Sequence, residues 1–400
     1  MIIEPVVRAH VEDAAFHWDR WRRAAWHPAY SAADRAEMRA RADASMDGVR
    51  IAGPDALPLV RDALDRATGA GEVFVATLIA LELGDEGMLA DIVARSGTPA
   101  EAAAMADGLR CAHGIASQRT ARAWQESSRP VARRAALVAD VGRRGRASLP
   151  HARFASKDAH PLVRARAWRA EGELAPRTAP PSAGADSHAA ADQDPDERAG
   201  VVVRAALQRS AAPSLADRDL LVALDRHDLA RWIVLAGILS SPAEAAAHAS
   251  AWLGHPVLEW HAPLLLAANG HAVHLDLLLE WLEVPQLNPV AGYALQHMLG
   301  VDAIDASLWD ADERDGDLAP SPDEDPDRFG PFDELPPWRV AATRAWCHAH
   351  RPPPRCRVLA GQELGRDSAV VVHDAASMFQ RGQLAYRSAL LTGEPVYAMP

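Results

Sequence analysis

A short pattern recurs at a fixed interval and limits what this chain can fold into. Pro130-Val-Ala-Arg133-Arg-Ala-Ala136-Leu137 aligns with Pro161-Leu-Val-Arg164-Ala-Arg-Ala167-Trp168, matching Pro, Arg and Ala at an offset of 31 residues. Looser copies begin at Pro256 and Pro289, 33 residues apart. A period in the thirties belongs to stacked supersecondary units, none of which buries its apolar face alone. Each position has a physical reason. Pro suits the first turn of a helix, where its missing N–H costs nothing. Arg three residues later can reach an Asp of its own or a neighbouring unit. The small Ala lets that helix approach the next. The fullest copy is Asp158 to Ala167. The copy at Ser127 lacks the Asp, and the copies at Pro256 and Pro289 lack the Arg. Arg133 and Arg164 are therefore expected to be structural rungs.

Composition agrees with helices. Apolar residues make up 49% of the 400, enough for a large core, yet aromatics are only 6%, and 12 of those 22 are Trp. Ala, Leu and Arg favour helix. Lys157 is the only lysine. Arg in its place, beside so much Ala, Gly and Pro, reads as the coding bias of a GC-rich bacterium, so Arg richness alone is no nucleic-acid signal. The formal net charge is −12, which repels nucleic acid and anionic membranes at long range. A local basic patch, as around Arg143 to Arg146, is compatible with that total. Cys111, Cys347 and Cys356 form an odd, sparse set that fits a reducing compartment. The N-terminus shows no leader pattern and no run reaches membrane-spanning length. The expected location is the cytoplasm, with no membrane insertion.

Along the chain, residues 1–53 read as an N-terminal helical cap. Val11, Ala14, Ala15, Trp18, Trp21 and Trp26 carry a stripe at helical spacing, expected to be packing surface. Ser31 is a candidate N-cap for a second helix. Residues 54–174 read as helical repeats, with helices over Leu57–Ala67, Val73–Leu83, Met88–Arg95 and Ala100–Cys111, punctuated by Gly69, Gly71, Gly84, Gly87 and Gly97. Residues 175–199 are low in complexity and read as a linker or insertion. Residues 200–301 return to helical repeats. Residues 302–335 read as an acidic loop, with 13 carboxylates against Arg314 and Arg328. Residues 336–400 read as a small C-terminal helical region, with an extended piece at Val358-Leu-Ala-Gly361 and helices at Ser368–Met378 and Gln383–Leu391.

Chemistry-bearing patterns are weak. Among 17 histidines, His271-x-x-His274 is the tightest pair on one helix face, but no HExxH and no close carboxylate partner follows. Cys347-His348-x-His350…Cys356 is the densest Cys/His cluster, yet its members crowd one turn and a three-proline run intervenes before Cys356. His227-Asp228 and His373-Asp374 are isolated dipeptides. GxSxG, the P-loop, GxGxxG and CxxC are all missing. No catalytic, cofactor-binding or metal residue is assigned, and no cofactor is expected.

The Asp158-x-x-Pro-x-Val-Arg164-x-x-Ala167 pattern is similar to that of HEAT repeats, which implies an all-α, HEAT-like α-solenoid of antiparallel helix pairs. One HEAT-like enzyme, deoxyhypusine hydroxylase, carries iron on His-Glu steps. This chain has no His-Glu dipeptide, so that likeness fails where the chemistry would lie. The chain as a whole resembles an uncharacterised bacterial family with short HEAT-like repeats, some members of which lie near type VI secretion genes. The features that carry the resemblance are Val11-Glu-Asp-Ala-Ala15-Phe16-x-Trp18, His27-Pro-x-Tyr30 and Met46-Asp-Gly48-Val-Arg50-Ile-Ala-Gly53 at one end. At the other they are Leu335-Pro-Pro-Trp338, Trp346, Val358-Leu-Ala-Gly361 and Gly393-Glu-Pro-Val396. The expected function is a non-enzymatic protein-binding scaffold or adaptor, an accessory to type VI secretion through the resemblance. Its expected contact regions are the acidic segment 302–334 and the Trp-bearing N-terminal helix. Two alternatives stay open: a metal-binding or enzymatic protein using the His-rich helices of 248–297, and an immunity-like protein that binds a single toxin. The partner's identity and the oligomeric state are not legible.

Overall fold

Proline and short polar residues open the helices. Thr98 and Ser241 make full capping boxes with Glu101 and Glu244, each followed by Pro at the first helical position. The computed structural model describes residues 2–27, 30–67, 69–175, 194–209, 215–224, 226–301, 306–309, 337–364, 377–392 and 396. Helices dominate these residues, and the fold is all-α. The chain divides into two compact units, one of Met1–Ala25, Ala32–Arg209 and Ser388–Pro400, the other of Trp26–Ser31 and Ser210–Arg387.

The first unit contains α1 (Glu4–Arg23), α2 (Ala32–Ala52), α3 (Leu57–Asp65), α4 (Gly71–Leu83), α5 (Glu86–Arg95) and α6 (Pro99–Cys111). It continues with α7 (Ile115–Gln125), α8 (Pro130–Arg144), α9 (Leu149–Ala155), α10 (Pro161–Leu174) and α11 (Pro195–Arg209). Helices α1, α4, α6, α8, α10 and α11 pack in succession, each against the next. Helices α3, α5, α7 and α9 each pack on a member of that row. The sequence shows why α4 lies inside. Its run Val73-Phe-Val-Ala-Thr-Leu-Ile-Ala-Leu81 is buried on every face, and a helix apolar all round must be a core helix.

The expected rungs are present. Arg133 donates from Nε and Nη2 to the Asp158 carboxylate, both at 2.7 Å, and from Nη1 to the Ser127 carbonyl at 2.7 Å. Arg164 does the same one unit on. It forks onto Glu197 at 2.6 and 2.7 Å and reaches the Asp158 and Ala159 carbonyls at 2.8 and 2.7 Å. Each Arg therefore ties the entry of its own helix to a carboxylate preceding or opening the next.

Several expectations shift. Helix α11 begins at Pro195, inside the stretch read as linker to 199, because Asp194 caps it through the Asp196 and Glu197 N–H groups. Helices α7 and α9 were not anticipated, since their polar faces blur the period. Gly71 does not punctuate. It opens α4 where a Cβ would stand 2.3 Å from the Ala15 carbonyl oxygen.

The second unit contains α12 (Arg218–Ala223), α13 (Arg226–Leu239), α14 (Pro242–Trp252), α15 (Ala262–Asn269), α16 (Leu275–Trp281) and α17 (Asn288–Leu299). It continues with α18 (Val340–Ala349), a hairpin of β1 (Val358–Leu359) and β2 (Gln362–Glu363), and α19 (Met378–Thr392), whose last residues belong to the first unit. Helix α15 packs between α13 and α17. Pro256 lies in a turn, and Pro263 fills the opening role in α15 instead. The expected helix Gln383–Leu391 begins earlier, at Met378; most of Ser368–Met378 lies outside the described residues.

If the rungs hold the first unit, losing one must cost more than losing a surface pair. Breaking a buried ion pair leaves a stranded charge, about 3 kcal/mol, and the Glu197 side chain is only 4% exposed. Arg164→Ala should lower the unfolding free energy by roughly that amount in urea titration. Arg41→Ala, whose pair with Glu37 is exposed on both sides, should cost less than about 1 kcal/mol.

Candidate functional site

The first feature that could hold a ligand is a groove on the first unit. It runs between α5 and α7, has a volume of about 490 Å3, and is floored by Leu89, Val93 and Trp124. Exposed Ala90, Ala94 and Ala123 widen it. Arg119 donates to Glu86 at 2.8 Å and Arg129 to the Ala94 carbonyl at 2.8 Å, so charged groups rim an apolar floor. Sequence reading missed this groove because α7 was missed. Trp124, the one large aromatic of that helix, was its available signal.

The expected contact regions behave differently. Trp18 is buried and stacks on Phe74 at 5.1 Å. Trp26, in the second unit, stacks on Tyr386 at 5.8 Å. Both serve packing, as the stripe implied. Residues 306–309 of the acidic segment are described, and the rest lie outside the described residues. Trp309 forms an antiparallel bridge with Trp338, and both pack against Tyr293. Gly292 makes room for this: a Cβ there would stand 2.2 Å from the Trp338 ring. Asn288 holds Trp338 through its backbone, accepting from N–H at 2.6 Å and donating to the carbonyl at 3.1 Å.

The histidines sit where helices end. The last carbonyls of a helix lack intrahelical donors, and in the second unit Asn269 and the C-terminal region supply them. Asn269 donates to the Gly237 and Ser240 carbonyls at 2.9 and 3.0 Å, and Arg357 to Ile238 at 3.2 Å. Gln383 donates to Ala268 at 2.7 Å. Ala360 and Gln380 donate to the His297 carbonyl, both at 2.9 Å, and Gly361 to Met298 at 2.9 Å. Gly270 and Gly300, both left-handed, leave the space in which the hairpin approaches.

These amides decide the histidine protons. Asn269 spends its NH2 on carbonyls, so its Oδ1 accepts from His274 Nε2 at 2.9 Å. Gln383 likewise accepts from His297 Nε2, while His297 Nδ1 is buried without a partner. A second proton on the His297 ring, at Nδ1, would therefore meet no acceptor. Burial pushes both pKa values down to about 4, with His271 and Arg357 adding to the effect at His274. The ring of His271 lies 6.3 Å from that of His274, but its Nδ1 faces the Val273 N–H.

The Cys/His cluster also disperses. Burial raises the Cys347 thiol to about 11. His350 stacks on Trp346 at 4.2 Å, and Cys356 donates to Glu363 at 3.1 Å. Among the described residues no three His, Cys, Asp or Glu side chains converge as a metal site. His373-Asp374 lies outside the described residues, and Asp228 pairs with Arg231 at 2.9 Å. No described helix is long and apolar enough to cross a membrane. No family model matches the chain, nor does any curated protein or solved structure.

The depressed histidines make stability depend on pH. In the unfolded chain they bind protons below about 6.5, and in the folded chain only near 4. Their contribution is therefore complete above pH 6.5 and is lost as pH falls from there toward 4. Between pH 7 and pH 5 the unfolding free energy should drop by about 2 kcal/mol per histidine. In His297→Asn, urea titrations at the two pH values should show that drop reduced by one histidine's share.

Proposed function

We propose that this chain is a non-enzymatic scaffold or adaptor that holds other proteins, its helix pairs stacked as a HEAT-like α-solenoid. The observation that carries this reading is the open groove of α5 and α7: an apolar floor with a charged rim, the composition of a protein-binding patch. The rungs support it further, because a contact surface gains affinity when it is ordered before the partner arrives. The buried histidines support it too, since their rings already have neutral partners and are fixed in packing roles. The resemblance of the motifs at both chain ends to those of HEAT-like bacterial proteins implies an accessory role in type VI secretion, in the cytoplasm.

The test is a cross-linked pull-down of tagged chain from its native cell, beside a variant with Ala90→Arg and Ala123→Arg. Both positions are exposed on the groove, so the variant should keep its helical circular dichroism. Sheath, baseplate or effector proteins should be recovered with the wild type and fall by about tenfold with the variant, a loss of roughly 1.4 kcal/mol. A single toxin in one-to-one complex would mark an immunity-like protein instead. Equal recovery with both forms would rule the groove out as the binding surface.

A further inference from the structure

Arg35 is buried without a direct ion pair. It lies in α2 at 5% exposure. Its guanidinium stacks over Trp21 with Cζ 4.4 Å from the ring centroid, and its Nε donates to the Trp21 carbonyl at 3.1 Å. Among the described residues no carboxylate forms an ion pair with it. Coding bias explains why a chain carries arginine; it does not explain an arginine withdrawn from water and left unpaired, which is costly.

Other guanidiniums gather at the same place. Arg39, one turn along α2, also lies over Trp21, with Cζ 5.3 Å from the ring centroid. Arg22 of α1 approaches Asp107 at 3.6 Å, and Arg110 of α6 reaches it at 3.2 Å. Arg39 pairs with exposed Asp43 at 3.0 Å. Four positive charges thus face two negative ones, Asp107 and Asp43, and two remain uncompensated. Arg22, Arg39 and Arg110 are each about a third exposed, so the cluster opens to solvent above the buried Arg35. Burial, then repulsion from Arg22, pulls Arg35 down to about 10, with Arg110 and Arg39 adding to it and Asp107 opposing. The fold also makes room for the crowding. Gly142 lies in the last turn of α8, and a Cβ there would stand 2.8 Å from Arg110 Nε.

We propose that Arg22, Arg35, Arg39 and Arg110 form a binding site for a phosphoryl group. A phosphate monoester brings two negative charges, matching the two left uncompensated, and enough acceptor oxygens for several guanidinium forks. Trp21 covers one face of the Arg35 guanidinium and takes its Nε–H, so the Nη groups are the ones that would meet the ligand. The phosphoryl group arrives either as a free small ligand or on a phosphorylated side chain of a partner.

Isothermal titration of the full chain at fixed ionic strength tests this, with inorganic phosphate, a phosphoserine peptide and its unphosphorylated twin as probes. Saturable one-to-one binding of phosphate or of the phosphopeptide is expected, with the plain peptide silent. Arg22→Gln and Arg110→Gln should each weaken binding at least about tenfold, as loss of a charged fork does. Arg41→Gln, away from the cluster, should leave it unchanged. Because Arg35→Gln could unfold the chain, the decisive variants are those at the two partly exposed positions, with circular dichroism confirming their fold. Tighter binding of phosphate marks a small ligand, and tighter binding of the phosphopeptide marks a modified partner. No saturable heat with either probe, or affinities unchanged in both variants, would overturn the proposal.

Discussion

The bidentate pair between an arginine near one helix start and a carboxylate at the next is the interaction that fixes α8, α10 and α11 on one another in the first unit. Arg133 to Asp158 and Arg164 to Glu197 repeat one geometry. Each guanidinium also satisfies a carbonyl just ahead of its own helix. Apolar burial between helices is non-directional and leaves neighbouring helices free to slide. A planar fork on a carboxylate fixes both distance and angle. The glycines then allow the closest approach: Gly172 and Gly200 face each other's helices, where a Cβ would stand 2.8 Å from the Arg204 Cα and 2.2 Å from the Ala165 carbonyl oxygen.

The second unit solves the same problem with amides and turns. Helices α13, α15 and α17 end at one region, and their free carbonyls are collected by Asn269, Arg357, Gln380, Gln383 and the hairpin backbone. Buried polar networks are stabilising only when nearly every member is satisfied. Here the amide groups fix the histidine tautomers, and the histidines in turn stay neutral. The same ends in water would need no such partners, so the hairpin and α19 account for much of what the C-terminal residues do.

Parts of this were legible in the sequence and parts were not. The rungs were readable at Arg133 and Arg164 because Pro, Arg and Ala each have a separate reason to stand at their positions. The all-α class followed from Ala, Leu and Arg. Helices α7 and α9 were hidden, since Arg119, Arg122 and Arg153 dilute their apolar period. Pro256 misled, because proline suits a turn as well as a helix start, and Pro263 seven residues later has the same local signature. The groove was not readable because it needs two helices brought together. The arginine cluster was masked by the coding bias: composition cannot distinguish Arg41, paired at the surface, from Arg35, buried over a tryptophan.

Whether rungs couple successive helices can be measured in a double-mutant cycle on Arg164 and Glu197, with unfolding free energies determined in urea for the wild type, Arg164→Ala, Glu197→Ala and the double variant. If they do, the double variant is no less stable than either single one, with a coupling energy of about 3 kcal/mol. Additive losses, with coupling near zero, would mean that the two residues act independently and that burial alone holds the array.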